Sequence, residues 1–225
     1  MKLTKEQIAE IKGWISKKGF TEIDLQYEIL DHMVCAMEEL LEKKPSLTLR
    51  EAFDQVHAGF GIFGFLSVEE SMQKNLSRQI WARFKKELKN LFFTDDFILV
   101  ALVAAILYFT AQVLAQHAAY WFIFLSLLSF FGNGWYLLKS QKMTLKQAWR
   151  YKYVKVLNEV GFGLYIPMQI LIQFQMRLLA LPVSYQLGIL GSLAFVFIIY
   201  SLACTRVARW AFEHYGAHYL RYGQL

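Results

Sequence analysis

The sequence predicts an all-α protein in which a small cytosolic helical bundle precedes a four-helix transmembrane bundle. Two observations predict this class: uncharged stretches long enough to cross a bilayer, and amphipathic helices confined to the N-terminal part. No charged side chain occurs between Asp96 and Lys139, and none occurs between Arg177 and Arg206. A water-soluble domain of this size would need many more charged residues on its surface. These stretches are therefore predicted to lie in a membrane.

The distribution of charge separates a polar head from an apolar, basic body. Residues 1–94 carry 14 Lys or Arg and 14 Asp or Glu, whereas residues 95–225 carry 10 and 4. The net charge of +6 therefore lies in the body, in short segments between apolar runs, which is typical of cytoplasmic loops. Nucleic-acid binding is not expected, because basic residues would then cluster on one face of a soluble domain. We expect a cytosolic helical domain at 1–93, a membrane domain at 94–206 and a basic aromatic tail at 207–225.

Capping patterns predict where the helices of the head begin. Thr4 with Gln7, and Thr48 with Glu51, match the reciprocal capping pattern in which each residue satisfies a backbone N–H of the other. These pairs predict a first and a third helix. A fourth helix is predicted to extend to about Phe93 and to end in a basic run.

The second helix of the head is predicted to begin at Thr21, with Asp24 at its third position. Pro45 prevents this helix from continuing, because proline lacks a backbone N–H and clashes with the preceding turn. The predicted apolar stripe consists of Ile23, Tyr27, Leu30, Val34, Met37 and Leu41.

Four membrane spans are predicted, near residues 97–116, 119–138, 158–177 and 184–205. The first two are runs of about 20 residues without charge, and a helix of that length spans about 30 Å. The loop at 139–155 holds six Lys or Arg and no acid. Four spans with both termini in the cytosol keep every basic segment inside, whereas three spans would place one outside.

Two motifs in the head carry a family resemblance. They are EILDHMVCAMEELLEK at residues 28–43 and REAFDQVHAGFG at residues 50–61. Together they resemble the bacterial HAAS-type helical domain over roughly residues 4–61, although the usual glycine-proline ending of the second motif is replaced by Gly59, Phe60 and Gly61. The resemblance implies a signalling or regulatory module that precedes transmembrane helices and has no enzymatic activity.

Polar residues within the predicted spans indicate an intramembrane site, and we assign Asn133, Glu159, Gln169 and Gln173 to it. Glu159 marks a proton or ion path, or it is an interfacial acid near Lys155. Gln169 and Gln173 share one face of a helix, where they either line a polar cavity or form interhelical hydrogen bonds. We favour the interfacial and packing alternatives.

A glycine-rich apolar segment after the third helix is a candidate protein contact or hinge. The residues assigned to it are Gly59, Phe60, Gly61, Phe63 and Phe65. Packing of this segment under the fourth helix is an equally good interpretation.

No catalytic, cofactor-binding or metal-binding residues are expected. The chain lacks G-x-S-x-G, H-E-x-x-H, P-loop and C-x-x-C motifs. Glu28, His32 and Cys35 share one side of the second helix, but a metal site needs three or four ligands with supporting contacts. We interpret these three residues as a solvated face.

The function expected from the sequence is that of a non-enzymatic integral protein of the bacterial cytoplasmic membrane. Its cytosolic head would bind a protein or regulate one, in signalling or recruitment. The alternative is a small transporter or intramembrane ligand-binding protein that uses the polar residues of the second and third spans. The expected partners are the lipid bilayer and a protein on the head, and homo-oligomerisation stays open.

Overall fold

The computed structural model describes residues 2–61, 64–94, 96–114, 145–161 and 182–216, and also His117, Tyr120, Trp121, 123–125, 127–128, Phe131, Trp135 and Lys139. All regular structure in these residues is helical, and no strand occurs among them. The predicted all-α class is therefore confirmed for the part of the chain that the structure describes.

The helices with described bounds follow one another without strands between them. They are α1 Lys5–Lys17, α2 Ile23–Lys43, α3 Leu49–Gly59, α4 Leu66–Phe93, α5 Phe97–Leu114, α6 Leu145–Ala148, α7 Lys152–Gly161 and α8 Val183–Ala211. The end of α8 passes directly into one π-helical turn, Phe212–Gly216.

Both predicted capping pairs of the head are confirmed. The Thr4 hydroxyl accepts a hydrogen bond from the Gln7 backbone N–H at 3.3 Å, and the Gln7 side chain accepts one from the Thr4 N–H at 2.8 Å. Thr48 and Glu51 repeat this arrangement at the start of α3. Each pair satisfies two backbone donors that the first turn of a helix cannot satisfy itself.

The start and the buried face of α2 differ from the prediction. The helix begins at Ile23, and Glu22 occupies the N-cap position without a capping hydrogen bond, so Thr21 is outside the helix. The fully buried apolar residues of α2 are Leu25, Ile29, Met33 and Met37. Because α2 packs against both α1 and α3, it buries a wider face than a single stripe.

The described residues divide into two compact units. One contains residues 2–78 together with Lys146–Val156, and the other contains the described residues of 79–145 and 157–216. The division falls within α4 rather than at its end, where the sequence analysis placed the domain boundary. In addition, part of the basic loop at 139–155 belongs to the same unit as the head.

The head unit has a continuous apolar core. Its fully buried side chains on α1, α2 and α3 are Ile11, Ile15, Leu25, Ile29, Met33, Met37, Ala52 and Phe53. Trp14 of α1 lies edge-on to Phe53 of α3 with ring centroids 5.0 Å apart. Aromatic pairs in this geometry add about 0.5–1.5 kcal/mol beyond the area that they bury.

In the second unit, the C-terminal half of α4 packs against the end of α8. The rings of Phe84 and Tyr200 lie 4.9 Å apart, and the Tyr215 hydroxyl donates a hydrogen bond to the Gln79 side chain at 2.6 Å. These contacts explain why the chain divides within α4, since this half of the helix has its neighbours in the second unit.

The helices α5 and α8 of the second unit run antiparallel. Leu107 of α5 forms a buried cluster with Leu190 and Ala194 of α8. At the other end, the two terminal guanidinium nitrogens of Arg206, Nη1 and Nη2, donate to the carboxylate of Asp96, at 2.5 and 2.9 Å. The start of α5 is therefore adjacent to the end of the apolar part of α8.

The predicted tail at 207–225 begins inside a helix. α8 extends to Ala211, and Val207, Ala208, Ala211 and Phe212 are buried. Apolar residues that recur at helical spacing continue the buried face of α8 beyond Arg206, which is why the helix does not end there. Residues 217–225 lie outside the described residues.

Among the described residues, one helical stretch, Leu187–Gly216, is long and apolar enough to cross a membrane. A second candidate arises when Leu66–Phe93 and Phe97–Val113, which meet at 74°, are counted as one bent span. The predicted spans at 119–138 and 158–177 lie largely outside the described residues. The four-helix transmembrane bundle therefore stays a prediction.

Candidate functional site

The most specific long-range contact in the described residues joins the head to the basic segment Lys146–Val156. The backbone N–H of Ile23, at the start of α2, donates to the carbonyl of Arg150 at 2.9 Å. This N–H belongs to the first turn of α2 and has no partner within its own helix. The basic segment supplies the missing acceptor.

Asp24 caps α7 from outside that helix. Its carboxylate oxygens accept hydrogen bonds from the backbone N–H groups of Lys152 at 2.6 Å and Tyr153 at 2.8 Å. These two residues begin α7, so their N–H groups lack intrahelical acceptors, and the positive end of the helix dipole favours a carboxylate beside them. A capping residue usually precedes its helix directly. Here it comes from α2, 128 residues earlier in the chain.

The Asp24 carboxyl group is buried, at 0% exposure. Burial raises the pKa of Asp24 above its ordinary value, while the N–H groups of Lys152, Tyr153 and Leu25 act in the opposite direction. A buried carboxylate without such donors would be unfavourable by several kcal/mol. The N–H donors of the docked basic segment therefore offset the free-energy cost of burying the Asp24 carboxylate.

Two ion pairs flank the cap. Lys152 Nζ lies 2.6 Å from Glu69 Oε1 of α4, and Lys155 Nζ lies 2.5 Å from Glu22 Oε1 before α2. Partial burial raises the pKa of Glu22, but the hydrogen bond and charge of Lys155 outweigh burial and bring the pKa below its ordinary value. The lysines thus fix the segment on either side of Asp24.

The docked segment also contributes apolar surface to the head unit. Tyr153 and Val156 are each 1% exposed, and Ala148 is 2% exposed. We call the contact that joins Glu22, Asp24 and Glu69 to residues 150–156 the docking site. It combines backbone capping, charge pairing and apolar burial, and these are binding interactions rather than the groups of a reaction centre.

The structure describes only one residue of the predicted intramembrane polar site. Glu159 lies in the last turns of α7 and is exposed. Asn133, Gln169 and Gln173 lie outside the described residues, so the grouping of these four residues stays a prediction.

The predicted contact or hinge segment is divided between surface and core. Gly59 ends α3, and Gly61 follows in a left-handed conformation with φ +74°. Phe65 is 2% exposed, and its ring lies 4.8 Å from His57 and 5.1 Å from Phe60. Phe63 lies outside the described residues. Phe65 thus has the packing role, while a contact role at the two glycines and Phe60 stays a prediction.

No group of three or more potential metal ligands occurs in the part of the chain that the structure describes. On α2, His32 Nε2 lies 3.8 Å from Glu28 Oε1, and the Cys35 thiol is free and exposed. These residues form an accessible helix face.

A groove of about 480 Å³ separates part of α5 from α8 in the second unit. Small residues on α8, including Gly188, Gly191 and Ser192, form one wall, and Tyr108 and Gln112 of α5 contribute to the other. The groove is mostly apolar with a few polar groups, a composition that suits either a packed helix or a ligand.

Sequence reasoning missed the docking site. It interpreted Asp24 as a helix-start residue, it counted Lys152 only as a marker of membrane orientation, and it considered Lys155 only as such a marker and as a neighbour of Glu159. The only local signal was an acid at the start of a helix whose N-cap position does not hold a preferred capping residue. Nothing in the sequence connects that acid to a segment 128 residues away.

Comparison of the chain with protein-family models, curated proteins and solved structures gives no match. The resemblance of residues 4–61 to the HAAS-type helical domain therefore stays a prediction.

Proposed function

We propose that this chain is a non-enzymatic membrane protein with four spans, whose cytosolic head is a signalling or recruitment module held by the cytosolic loop between the second and third spans. The observation that carries the proposal is the capping of α7 by the buried carboxylate of Asp24. This contact makes the head and the loop one binding unit. It gives a membrane segment a direct connection to a cytosolic domain.

The direction of the apolar helices supports an even number of spans. When the first and last spans are antiparallel, the chain crosses the bilayer an even number of times and both ends lie on one side. Asp96 and Arg206 pair at one end of α5 and α8, and Leu107 packs against Leu190 and Ala194 farther along. The antiparallel packing of α5 and α8 thus supports an even number of spans independently of the positive charges, which also favour four.

The position of the basic segment supports the same topology. Lys146–Val156 folds with the head in one compact unit, so the two must occupy the same side of a membrane. A loop on the outer side could not provide the N–H groups that Asp24 accepts. The contact therefore favours a cytosolic position for the loop between the second and third spans over an external one.

The route of coupling follows from chain continuity. α7 begins at the docking site and continues to Gly161, which lies within the predicted third span at 158–177. A shift of that span would move the first turn of α7 relative to Asp24 and change the docking equilibrium. A signal that changes this equilibrium by about 1–3 kcal/mol would change the docked population by about 5-fold to 150-fold.

The test of this proposal compares Asp24→Ala with Asp31→Ala, which removes an exposed acid from the same helix. Both full-length proteins are purified in mild detergent, and the co-purifying cytosolic proteins are quantified. We expect the amount of a stoichiometric partner to change in Asp24→Ala and not in Asp31→Ala. An unchanged partner profile in both variants would contradict the regulatory role of the docking site.

A transporter or intramembrane ligand-binding protein is the second candidate, favoured by the groove between α5 and α8. Replacing Gln169 and Gln173 by Leu separates the two functions, because it removes polar groups from the predicted third span. A recruiter should retain its partner in this variant. A carrier should lose uptake of its substrate or the small molecule that co-purifies with it.

A further inference from the structure

The exposed face of α4 carries cations and aromatic rings in an arrangement that suits a membrane surface. Its exposed basic residues are Lys74, Arg78, Lys85, Lys86 and Lys89, and its exposed aromatic residues are Trp81, Phe92 and Phe93. At 100° per residue these side chains fall within about 140° of the helix circumference. We call this surface the basic–aromatic face.

The opposite side of α4 is buried. Leu76, Ile80, Phe84 and Leu91 are at most 6% exposed. Glu87, the only acid between Glu70 and Phe93, is also on this side and pairs with Arg83 at 2.6 Å. No carboxylate within this stretch therefore offsets the cations of the basic–aromatic face.

The aromatic residues make a purely solvated face unfavourable. Phe93 is 78% exposed, Trp81 is 43% exposed and Phe92 is 39% exposed. Phe97 and Ile98, at the start of α5, continue this exposed apolar surface at 55% and 72%. Aromatic side chains beside cations are typical of helices that lie at the boundary between headgroups and acyl chains.

The bend between α4 and α5 gives the orientation that such binding requires. The two helices meet at 74°. If α5 crosses the bilayer along its normal, α4 lies about 16° from the membrane plane, and a typical tilt of about 20° still leaves it near that plane. The cations would then reach phosphate groups while the rings enter the interface.

We propose that the basic–aromatic face of α4 binds the anionic phospholipid headgroups of the cytosolic leaflet. The proposal rests on the membrane location proposed above, and it adds a specific lipid class and surface. Lys85 and Lys89 are central to the face, since they lie between Trp81 and Phe93 around the helix.

A nitroxide label at Ala82 tests the proposal in the full chain. Cys35→Ser and Cys204→Ser remove the native thiols. In this background Ala82→Cys places one label on the basic–aromatic face. Two further proteins carry single reference labels, at Glu39→Cys in the head and at Val113→Cys on α5. Each protein is reconstituted in nanodiscs of phosphatidylcholine, with or without phosphatidylglycerol. Accessibility to oxygen and to a water-soluble nickel chelate then reports the depth of each label.

We expect the Ala82 label to be interfacial in nanodiscs that contain phosphatidylglycerol. Lys85→Glu with Lys89→Glu should reduce the ratio of membrane-bound to unbound α4 by about 30-fold or more, since each lost cation contributes about fivefold near an anionic surface. The matched control, Lys43→Glu with Lys44→Glu, changes exposed lysines at the end of α2 and should have no effect.

Three results would overturn the proposal. The Ala82 label could be as accessible to water as the Glu39 label. Its depth could be independent of phosphatidylglycerol and of Lys85 and Lys89. Single-stranded RNA without lipid could immobilise the label, which would assign the face to nucleic acid. The Val113 label separates failure of this proposal from failure of the proposed function. A Val113 label in lipid preserves the membrane assignment, whereas a water-exposed one contradicts it.

Discussion

The head unit and the second unit each use an acidic residue to hold a distant part of the chain, but in different ways. Asp24 is fully buried and accepts two backbone N–H groups at the start of α7. Asp96 has a side chain that is 36% exposed, and it pairs with the side chain of Arg206. Backbone donors at a helix start have fixed positions, whereas an arginine side chain can follow a moving partner.

The Asp24 contact therefore fixes the relative position of two segments, whereas the Asp96–Arg206 pair adds only electrostatic attraction between its two helices. The docking site places one helix start at one position on the head, and removing the buried Asp24 carboxylate leaves two buried backbone N–H groups without their acceptor. The α5–α8 contact depends mainly on apolar packing at Leu107, Leu190 and Ala194, and its ion pair is accessible to solvent. If the chain transmits a signal as we propose, the docking site would register it better than the α5–α8 contact.

The largest effect is expected for Asp24→Ala. This variant leaves the N–H groups of Lys152 and Tyr153 without their acceptor, and we expect the head unit to lose about 2–3 kcal/mol of stability. Hydrogen exchange at these two amides should become faster in Asp24→Ala and stay slow in Asp31→Ala. Unchanged protection in Asp24→Ala would contradict the capping assignment.

Gly61→Ala should have the next largest effect. Gly61 has φ +74° with open space around it, so an added Cβ meets backbone strain rather than a steric neighbour. We expect a loss of about 1–2 kcal/mol in the free energy of unfolding, measured by chemical denaturation. Gly59→Ala is the matched control, because Gly59 is helical and has equal space. An equal loss in both variants would assign the effect to the segment rather than to the backbone conformation.

The Asp96–Arg206 pair should contribute less than the docking site. A double-mutant cycle with Asp96→Ala and Arg206→Ala should give a coupling free energy of about 0.5–1 kcal/mol, because both side chains are about one-third exposed. The cycle is measured by reversible unfolding in detergent micelles. A coupling as large as the Asp24→Ala loss would remove the contrast between the two units.

The smallest expected effect is the acid dependence that arises from Glu22. The pKa of Glu22 lies below its ordinary value of 4.5, so its pairing with Lys155 contributes stability above pH 4.5 and loses it as pH falls through the lowered pKa. Glu22→Gln should reduce the loss of unfolding free energy on acidification by about 0.5 kcal/mol, whereas Glu39→Gln should leave this loss unchanged. The measurement is the free energy of unfolding between pH 6 and about pH 3.

Asp24 should contribute a pH dependence of stability that is opposite in sign to that of Glu22. Because burial raises its pKa, protonated Asp24 favours the folded head below its ordinary pKa of 3.8, and this contribution is lost as pH rises through the raised pKa. The two neighbouring acids of the docking site therefore respond to acid in opposite directions. Asp24→Asn should remove the Asp24 contribution to the pH dependence and leave the loss of stability that arises from Glu22 at acid pH.

The sequence predicted those features that depend on neighbours within one helical turn. Thr4 with Gln7 and Thr48 with Glu51 cap their helices as expected, because donor and acceptor are three residues apart. The buried face of α2 was wrong in part, since its extent depends on α1 and α3 together. The capping of α7 by Asp24 was missed, because a contact across 128 residues leaves no periodic signal.

A disulfide cross-link tests most directly our central proposal, that the head and the basic segment form one cytosolic unit through Asp24. Ile23→Cys and Arg150→Cys are introduced together with Cys35→Ser and Cys204→Ser, and the full chain is oxidised in native membranes. The backbone hydrogen bond between these positions, 2.9 Å long, brings the two chain segments into direct contact. We predict rapid cross-linking that Asp24→Ala slows, whereas no cross-link, with labelling of position 150 from the outer side, would contradict the account.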